Sequence, residues 1–170
     1  LIRDKCFVFY RYYTYWDNLF SASFDYHLTQ DKQQRFDLLT AFEVFEHIPN
    51  HVAELSTMSQ LSDAIFFSTE LQPHTPEKLN EWWYLLPQIG QHISFYSQKS
   101  LAQLAQQFGY YLYTDGKYFH LLSRNKISAA LFALITKKKA ATAWWYLNNG
   151  RKSLLETDFK KSLNAQMPVQ

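Results

Sequence analysis

Cysteine and glycine are scarce in this chain. One of its 170 residues is cysteine, Cys6, so no disulfide bond can form within the chain. This usage is typical of a reducing compartment, and we expect a cytoplasmic protein. Glycine occurs four times, at positions 90, 109, 116 and 150. That spacing excludes the clustered glycines of a phosphate-binding loop or a dinucleotide-binding fingerprint.

Strong charge and long apolar runs are also lacking. The net charge of +2 is too small to indicate nucleic acid binding. The longest apolar run, residues 127–135, falls well short of the ~20 residues that cross a bilayer. There is no C-x-x-C pair, no phosphate loop and no nucleophile elbow, so hydrolase and kinase functions lack support. The 47% hydrophobic content is nevertheless sufficient for a folded domain with its own core.

Strand and helix patterns alternate along the chain. The continuous apolar run at residues 36–42 is typical of a strand covered on both faces. Asn50 is a candidate N-cap for the helix that follows. Asp115 and Gly116, between two strand-like runs, indicate a hairpin. The patterns predict strands at residues 6–15, 24–28, 36–42, 64–69, 110–114 and 119–123, and helices after Asn50 and at 97–108, 126–136 and 153–163.

This alternation predicts an open α/β sheet. Ligands of such sheets bind beyond the carboxyl ends of the strands. Glu43, Glu46 and His47 follow one predicted strand end, and Glu70 and Gln72 follow the next. The connection at residues 70–91 carries three consecutive aromatic residues and would fold over the same edge, where long loops are usually functional.

Four segments of the chain resemble class I S-adenosylmethionine-dependent methyltransferases. They are FDLLTAFEVFEHIPN at residues 36–50, AIFFSTELQP at 64–73, EWWYLLPQIGQHISFYSQKSLAQLAQQFGY at 81–110, and the closing hairpin. Their order and spacing are similar to the family's fourth strand, fifth strand, substrate loop, helix and final antiparallel pair. The resemblance covers about residues 6–124.

The resemblance implies a Rossmann-like, seven-stranded sheet, mostly parallel with a C-terminal antiparallel hairpin. It implies methyl transfer from S-adenosylmethionine to a small-molecule or sugar-like acceptor. The family's glycine-rich turn after the first strand is absent. We therefore expect an N-terminally truncated methyltransferase-like domain at residues 1–124 and a helical extension at 125–170. The alternative is a non-catalytic module that dimerises or binds a partner chain.

The resemblance also implies where the cofactor binds. Its rim would be formed by Phe42, Glu43 and Val44 after the family's fourth strand. An acid normally ends the second strand and binds the ribose hydroxyls. Tyr13 occupies that position here, so Asp17 and Asp25 are the acids that would bind the cofactor in its place.

Two histidines are the candidate catalytic residues. Neutral imidazole has a pKa suited to a general base, and His47 and His92 both lie in matching segments. Glu43, Glu46 and His47 also form an E-x-x-E-H motif similar to that of ubiquinone-pathway O-methyltransferases, which implies a divalent cation such as Mg²⁺. The alternatives are that Glu46 caps a helix, that His47 packs near the cofactor, and that His92 bonds the backbone.

Aromatic residues in the long connection are candidates for acceptor binding. Trp82, Trp83 and Tyr84 would line the acceptor pocket or anchor the loop against the sheet. Gln91 would orient an acceptor hydroxyl, and Glu70 and Gln72 are further candidates of this kind.

A basic and aromatic stretch near the C-terminus has two interpretations. Residues 137–139 are lysines, and residues 144–146 are Trp-Trp-Tyr. Together they have the composition of a membrane-surface helix. The ordinary interpretation is a solvated charged face beside a packed or dimerising aromatic face, and we do not expect membrane contact.

Overall fold

The computed structural model describes residues 7–12, 24–26, 34–85, 87–88, 90–137, 142–143 and 153–166. The chain divides into two compact units. One unit is Arg35–Ala143, and the other combines Leu1–Gln34 with Trp144–Gln170. The predicted residues Tyr13, Asp17 and 144–146 lie outside the described residues.

The unit Arg35–Ala143 is built on a four-stranded sheet. Its strands are β1 (Leu39–Ala41), β2 (Ala64–Ser68), β3 (Tyr111–Thr114) and β4 (Phe119–Ser123), in the order β1-β2-β4-β3. Strand β1 is parallel to β2, whereas β4 is antiparallel to both of its neighbours. Three strands therefore share one direction, and the last strand in the chain opposes them. The described part of the chain thus confirms a mixed α/β sheet with a C-terminal antiparallel hairpin, and it holds four of the seven implied strands.

Strand β2 carries apolar side chains on both faces. Ile65 and Phe67 of β2 are fully buried on one face, and Leu122 of β4 joins them in the core. On the other face Phe66 contacts Phe42 and Phe119, with ring centroids 5.5 and 5.9 Å apart. A continuous apolar run is the pattern expected of such a strand.

Helix α1 (His51–Leu61) begins where the sequence predicts. The Asn50 side chain accepts a hydrogen bond from the Ala53 amide at 3.1 Å, as an N-cap does. Leu55 and Leu61 are buried. Val52, which the pattern assigns to the same apolar side, is 40% exposed. The placement of Val52 on the buried side of α1 was wrong, because the buried face of this helix is narrower than the spacing of its apolar residues suggests.

Helix α3 (Gln98–Gln107) confirms the clearest helical pattern of the chain. The Ser97 hydroxyl accepts from the Ser100 amide at 3.0 Å, and the Ser100 hydroxyl accepts from the Ser97 amide at 2.9 Å. This reciprocal cap satisfies two amides at the helix start. Gly109 follows the helix with φ of +73°, a conformation that glycine adopts without strain.

The remaining elements of this unit are short. The connection after β2 holds helix α2 (Pro76–Asn80) and a 3-10 helix, Trp83–Leu85, where the sequence predicts a loop. The predicted hairpin is confirmed, although its connection is longer than Asp-Gly. Asp115 Oδ1 accepts three backbone N–H bonds that close it. Helix α4 (Ala129–Ile135) follows the sheet.

The core of this unit positions the turn after β1. Phe45 stacks on Phe67 with ring centroids 4.0 Å apart, and its side chain is 1% exposed. Helices α1 and α3 contribute to the same core. Its fully or nearly buried members include Phe45, Leu55, Ile65, Phe67, Tyr96, Leu101, Ala105 and Leu122.

The second unit has fewer described residues. Arg11 and Asp25 form a parallel bridge, and the Arg11 guanidinium bonds the Asp25 carboxylate at 2.9 and 3.4 Å. The strands predicted at residues 6–15 and 24–28 are reduced, in their described parts, to this single bridge. The helix predicted at residues 153–163 is observed as helix α5 (Leu155–Gln166). Among the described residues no helix has the length and apolar character that crossing a membrane requires.

Candidate active site

The candidate site begins where the chain leaves β1. Phe42 is 48% exposed there, and Glu43 has a φ of +52°. A left-handed backbone costs a residue with a side chain about 1 kcal/mol. The Glu43 amide compensates by donating to the Ser68 hydroxyl at 2.9 Å. This kink directs the following turn, Phe45–His47, across the end of the sheet.

The Glu43 carboxylate is satisfied by its own chain. Its Oε1 accepts hydrogen bonds from the Ser68 hydroxyl at 3.0 Å and from the Tyr118 hydroxyl. The bond from Tyr118 is the main reason that the pKa of Glu43 is lowered, and it also raises the pKa of Tyr118. We call Glu43, Ser68 and Tyr118 the Glu43 cluster. Sequence reasoning missed Ser68 and Tyr118, because Tyr118 lies 75 positions away and no local pattern links it to Glu43.

Glu46 has the opposite environment. The residue is fully buried, and neither carboxylate oxygen has a hydrogen-bond partner among the described residues. Burial is the main reason that the pKa of Glu46 is raised, and the charge of Glu43 adds to it. The nearby Tyr84 hydroxyl also affects this pKa, but its hydrogen bond is with Thr69 Oγ1 at 3.5 Å. Glu46 does not cap α1, because Asn50 does.

The turn after β1 is joined to residues 91–96 by hydrogen bonds. The amides of Ile93 and Ser94 donate to the Glu46 carbonyl at 2.9 and 3.0 Å. The Ser94 hydroxyl donates to the Ile48 carbonyl at 2.6 Å, and the Tyr96 hydroxyl to the Phe45 carbonyl at 3.1 Å. Burial raises the pKa of Tyr96 to about 12, so this hydroxyl keeps its proton. These bonds hold His92 beside His47.

Both histidines are oriented by the backbone. His47 Nδ1 lies 2.8 Å from the Gln91 carbonyl oxygen, and His92 Nδ1 lies 2.6 Å from that of Tyr84. A carbonyl oxygen can only accept, so each Nδ1 carries a proton. In the neutral ring, the lone pair is then on Nε2. The two rings meet edge to face, with centroids 5.1 Å apart.

Glu46, His47 and His92 converge. One possible metal-ligating atom from each lies within 4.8 Å of the other two. We call these three residues the Glu46 cluster. Glu43, the third member of the predicted E-x-x-E-H set, is not in this group, and His92 takes its place. His47 is exposed and His92 half-buried, so the cluster is open on one side.

The aromatic residues of the loop divide into two kinds. Tyr84 is fully buried, and Trp82 is 8% exposed with its indole N–H donating to Glu70 Oε1 at 3.0 Å. These two anchor the loop, which is the alternative that the sequence left open for them. Trp83 is 63% exposed and contacts Tyr84 edge-on. Trp83 is therefore the exposed one of the three predicted loop aromatics.

The other predicted residues are dispersed. Val44 packs against the core. The backbone N–H of Gln72 donates a hydrogen bond to the backbone carbonyl of Tyr96 at 2.8 Å. Gln91 is exposed, and its carbonyl orients His47. Asp25 belongs to the other unit, where Arg11 bonds its carboxylate. Asp17 lies outside the described residues.

Comparison of the chain with known proteins identifies its family. A protein-family model described as a methyltransferase domain matches residues 12–114, which is more than half of the chain. The chain therefore belongs to this family of methyltransferase domains. A comparison of this chain with curated proteins found no match, and neither did a comparison with solved structures.

Proposed function

We propose that this chain transfers a methyl group from S-adenosylmethionine to a small-molecule or sugar-like acceptor. One observation carries the proposal beyond family membership. His47 and His92 have their Nδ1 atoms bound to carbonyls, so their Nε2 lone pairs remain available at the carboxyl end of β1. The single cysteine supports the cytoplasm as the proposed location.

The cofactor would lie along the rim formed by Phe42, Glu43 and Val44. S-adenosylmethionine supplies an electrophilic methyl group on a sulfonium. The exposed ring of Phe42 suits its adenine, and the lowered pKa of Glu43 keeps a negative charge near a cationic ligand. These features fit such a cofactor. Val44 would act through the backbone, since its side chain packs against the core.

The acceptor would approach between the histidines and Trp83. His92 is half-buried and firmly oriented, so its Nε2 would take the proton of an acceptor hydroxyl or amine. His47, at the exposed side, would orient the acceptor or take the proton in its place. The exposed face of Trp83 would stack on a ring or sugar, and Gln91 would bond its hydroxyl groups. A divalent cation would assist from the same side.

The proposal is tested by measuring cofactor binding and methyl transfer separately. Titration calorimetry would measure S-adenosylmethionine binding, and transfer of a labelled methyl group would be followed on a panel of hydroxyl and amine acceptors. We expect His92→Asn to bind cofactor within about twofold of the wild type and to lose about 10²–10⁴-fold in transfer rate.

The matched control is His74→Asn, because His74 is an exposed histidine outside the site. It should leave both quantities unchanged. Absence of any binding heat at millimolar cofactor would reject the enzymatic function and leave the non-catalytic module. A methyl-transfer rate that is unchanged in both His92→Asn and His47→Asn would reject the assignment of a histidine as the general base.

A further inference from the structure

The donor atoms of the Glu46 cluster differ from those that the E-x-x-E-H motif implies. The motif offers two carboxylates and one imidazole, an oxygen-rich set that suits Mg²⁺. The folded chain instead brings together one carboxylate, from Glu46, and two imidazoles, from His47 and His92. Two nitrogens and one oxygen are the ligands of a catalytic zinc ion or of a related transition metal.

We propose that Glu46, His47 and His92 bind one transition-metal dication of the Zn²⁺ class, and that Glu43 is not a ligand. The orientation of both histidines supports this centre. Metal-ligating histidines usually donate their other ring N–H to a carbonyl or carboxylate, which fixes the ring. Both rings do so here, through Nδ1 to the carbonyls of Gln91 and Tyr84. Each ring therefore offers Nε2 to a cation.

The Glu46 carboxylate is a second, independent observation. It is fully buried, neither oxygen has a hydrogen-bond partner among the described residues, and it lies beside the two rings. Leaving a buried carboxylate without a partner is costly, and a cation removes that cost. No such demand exists at Glu43, whose carboxylate accepts bonds from Ser68 and Tyr118.

The cluster has room to close on an ion. Ligands held ~2.1 Å from a tetrahedral cation lie about 3.4 Å apart. The donor atoms here lie within 4.8 Å of one another, so small shifts of the three side chains would bring them to that spacing. Three protein ligands leave one coordination position free for water or for an acceptor oxygen. With the ion bound, the two Nε2 atoms would be ligands and could not act as the base of the proposed methyl transfer. The cation would instead lower the pKa of a bound acceptor hydroxyl, whose proton would pass to solvent.

Metal binding is measured on the chain alone, so its outcome is independent of the methyl-transfer proposal. The tag-free chain would first be stripped with a chelator. Titration calorimetry would then compare Zn²⁺ with Mg²⁺, and the visible spectrum of Co²⁺ would report the coordination geometry. We expect one Zn²⁺ per chain, bound at least about 100-fold more tightly than Mg²⁺, and an intense Co²⁺ spectrum of low coordination number.

Single variants assign the ligands. Glu46→Gln, His47→Asn and His92→Asn should each weaken Zn²⁺ binding by at least about tenfold. Glu43→Gln and His74→Asn, as matched controls, should bind within about twofold of the wild type. Circular dichroism of each metal-free variant would verify its fold. Glu46→Gln is the decisive variant, since removing an unpaired buried charge should not unfold the protein.

Three outcomes would overturn the inference. Tighter binding of Mg²⁺ than of Zn²⁺ would do so, as would Zn²⁺ binding that survives Glu46→Gln. An equal loss in Glu43→Gln and Glu46→Gln would restore the E-x-x-E-H ligand set.

Discussion

Two glutamates three positions apart, Glu43 and Glu46, have opposite surroundings. The Glu43 cluster is complete, because the chain's own hydroxyl groups, from Ser68 and Tyr118, occupy the carboxylate. The Glu46 cluster is incomplete, because its buried carboxylate lies beside two oriented imidazoles and has no hydrogen-bond partner in the part of the chain that the structure describes. A polar group satisfied from within stabilises the fold. One that is buried and unsatisfied needs an explanation, and at Glu46 the explanation that we propose is a bound cation.

The largest expected effect comes from removing the core side chain of the turn that carries both glutamates. Phe45 stacks on Phe67 and is 1% exposed, so Phe45→Ala should lower the free energy of unfolding by about 3–5 kcal/mol. Urea denaturation would measure it. Phe42→Ala, at an exposed neighbour, is the control and should cost much less. Equal losses in the two variants would show that the turn does not depend on Phe45.

An intermediate effect is expected when each glutamate is replaced by methionine, because the free energy of unfolding should change in opposite directions. In metal-free protein at pH 8, Glu46→Met should raise the free energy of unfolding by about 1–3 kcal/mol, because it removes an unpaired buried charge. Glu43→Met should lower it by about 1 kcal/mol, because two hydrogen bonds are lost at an exposed site. Thermal unfolding of both variants measures the difference.

The Glu46 effect should also depend on pH. Its folded pKa is raised above the ordinary 4.5. Its contribution to stability is therefore fully present below pH 4.5 and is lost as the pH rises through the folded pKa. The advantage of Glu46→Met should disappear in acid. An advantage that is the same at pH 4 and pH 8 would show that the charge of Glu46 is not its cause.

The smallest expected effect is at Tyr118. Its hydroxyl is the main cause of the lowered pKa of Glu43, so Glu43 adds stability above pH 4.5 that is lost as the pH falls through its folded pKa. Tyr118→Phe should reduce this loss in acid and lower stability at pH 7 by about 0.5–1 kcal/mol, since the site is exposed. Acid titration of stability measures both. Tyr113→Phe is the control, because it removes a hydroxyl that is bonded to the Ile127 amide rather than to Glu43, and it should leave the acid dependence unchanged.

Sequence alone predicted the local elements well. Asn50 and Ser97 start their helices because a cap needs only the residues next to it. The apolar run of β2 is equally local. The sheet edge that carries Glu46 and His47 was also predictable, because the rule for strand ends needs no side-chain detail.

The grouping of the site residues could not be predicted from the sequence. The E-x-x-E-H spacing suggested that Glu43, Glu46 and His47 act together. Glu43 has a left-handed backbone, and the bonds from Ser68 and Tyr118 occupy its carboxylate, although its charge still raises the pKa of Glu46. His92 replaces Glu43 through main-chain hydrogen bonds across the fold, which have no sequence signature. The buried state of Trp82 and the exposed state of Trp83 likewise depend on packing.

The hydrogen bonds between the β1 turn and residues 91–96 have a consequence for folding. They join positions 44, 46 and 51 residues apart, at His47–Gln91, Ile48–Ser94 and Phe45–Tyr96. Closing such loops costs chain entropy before any contact is gained, so these bonds belong to a late step of folding. A nascent chain would therefore carry α1 and β2 before its two histidines ever met.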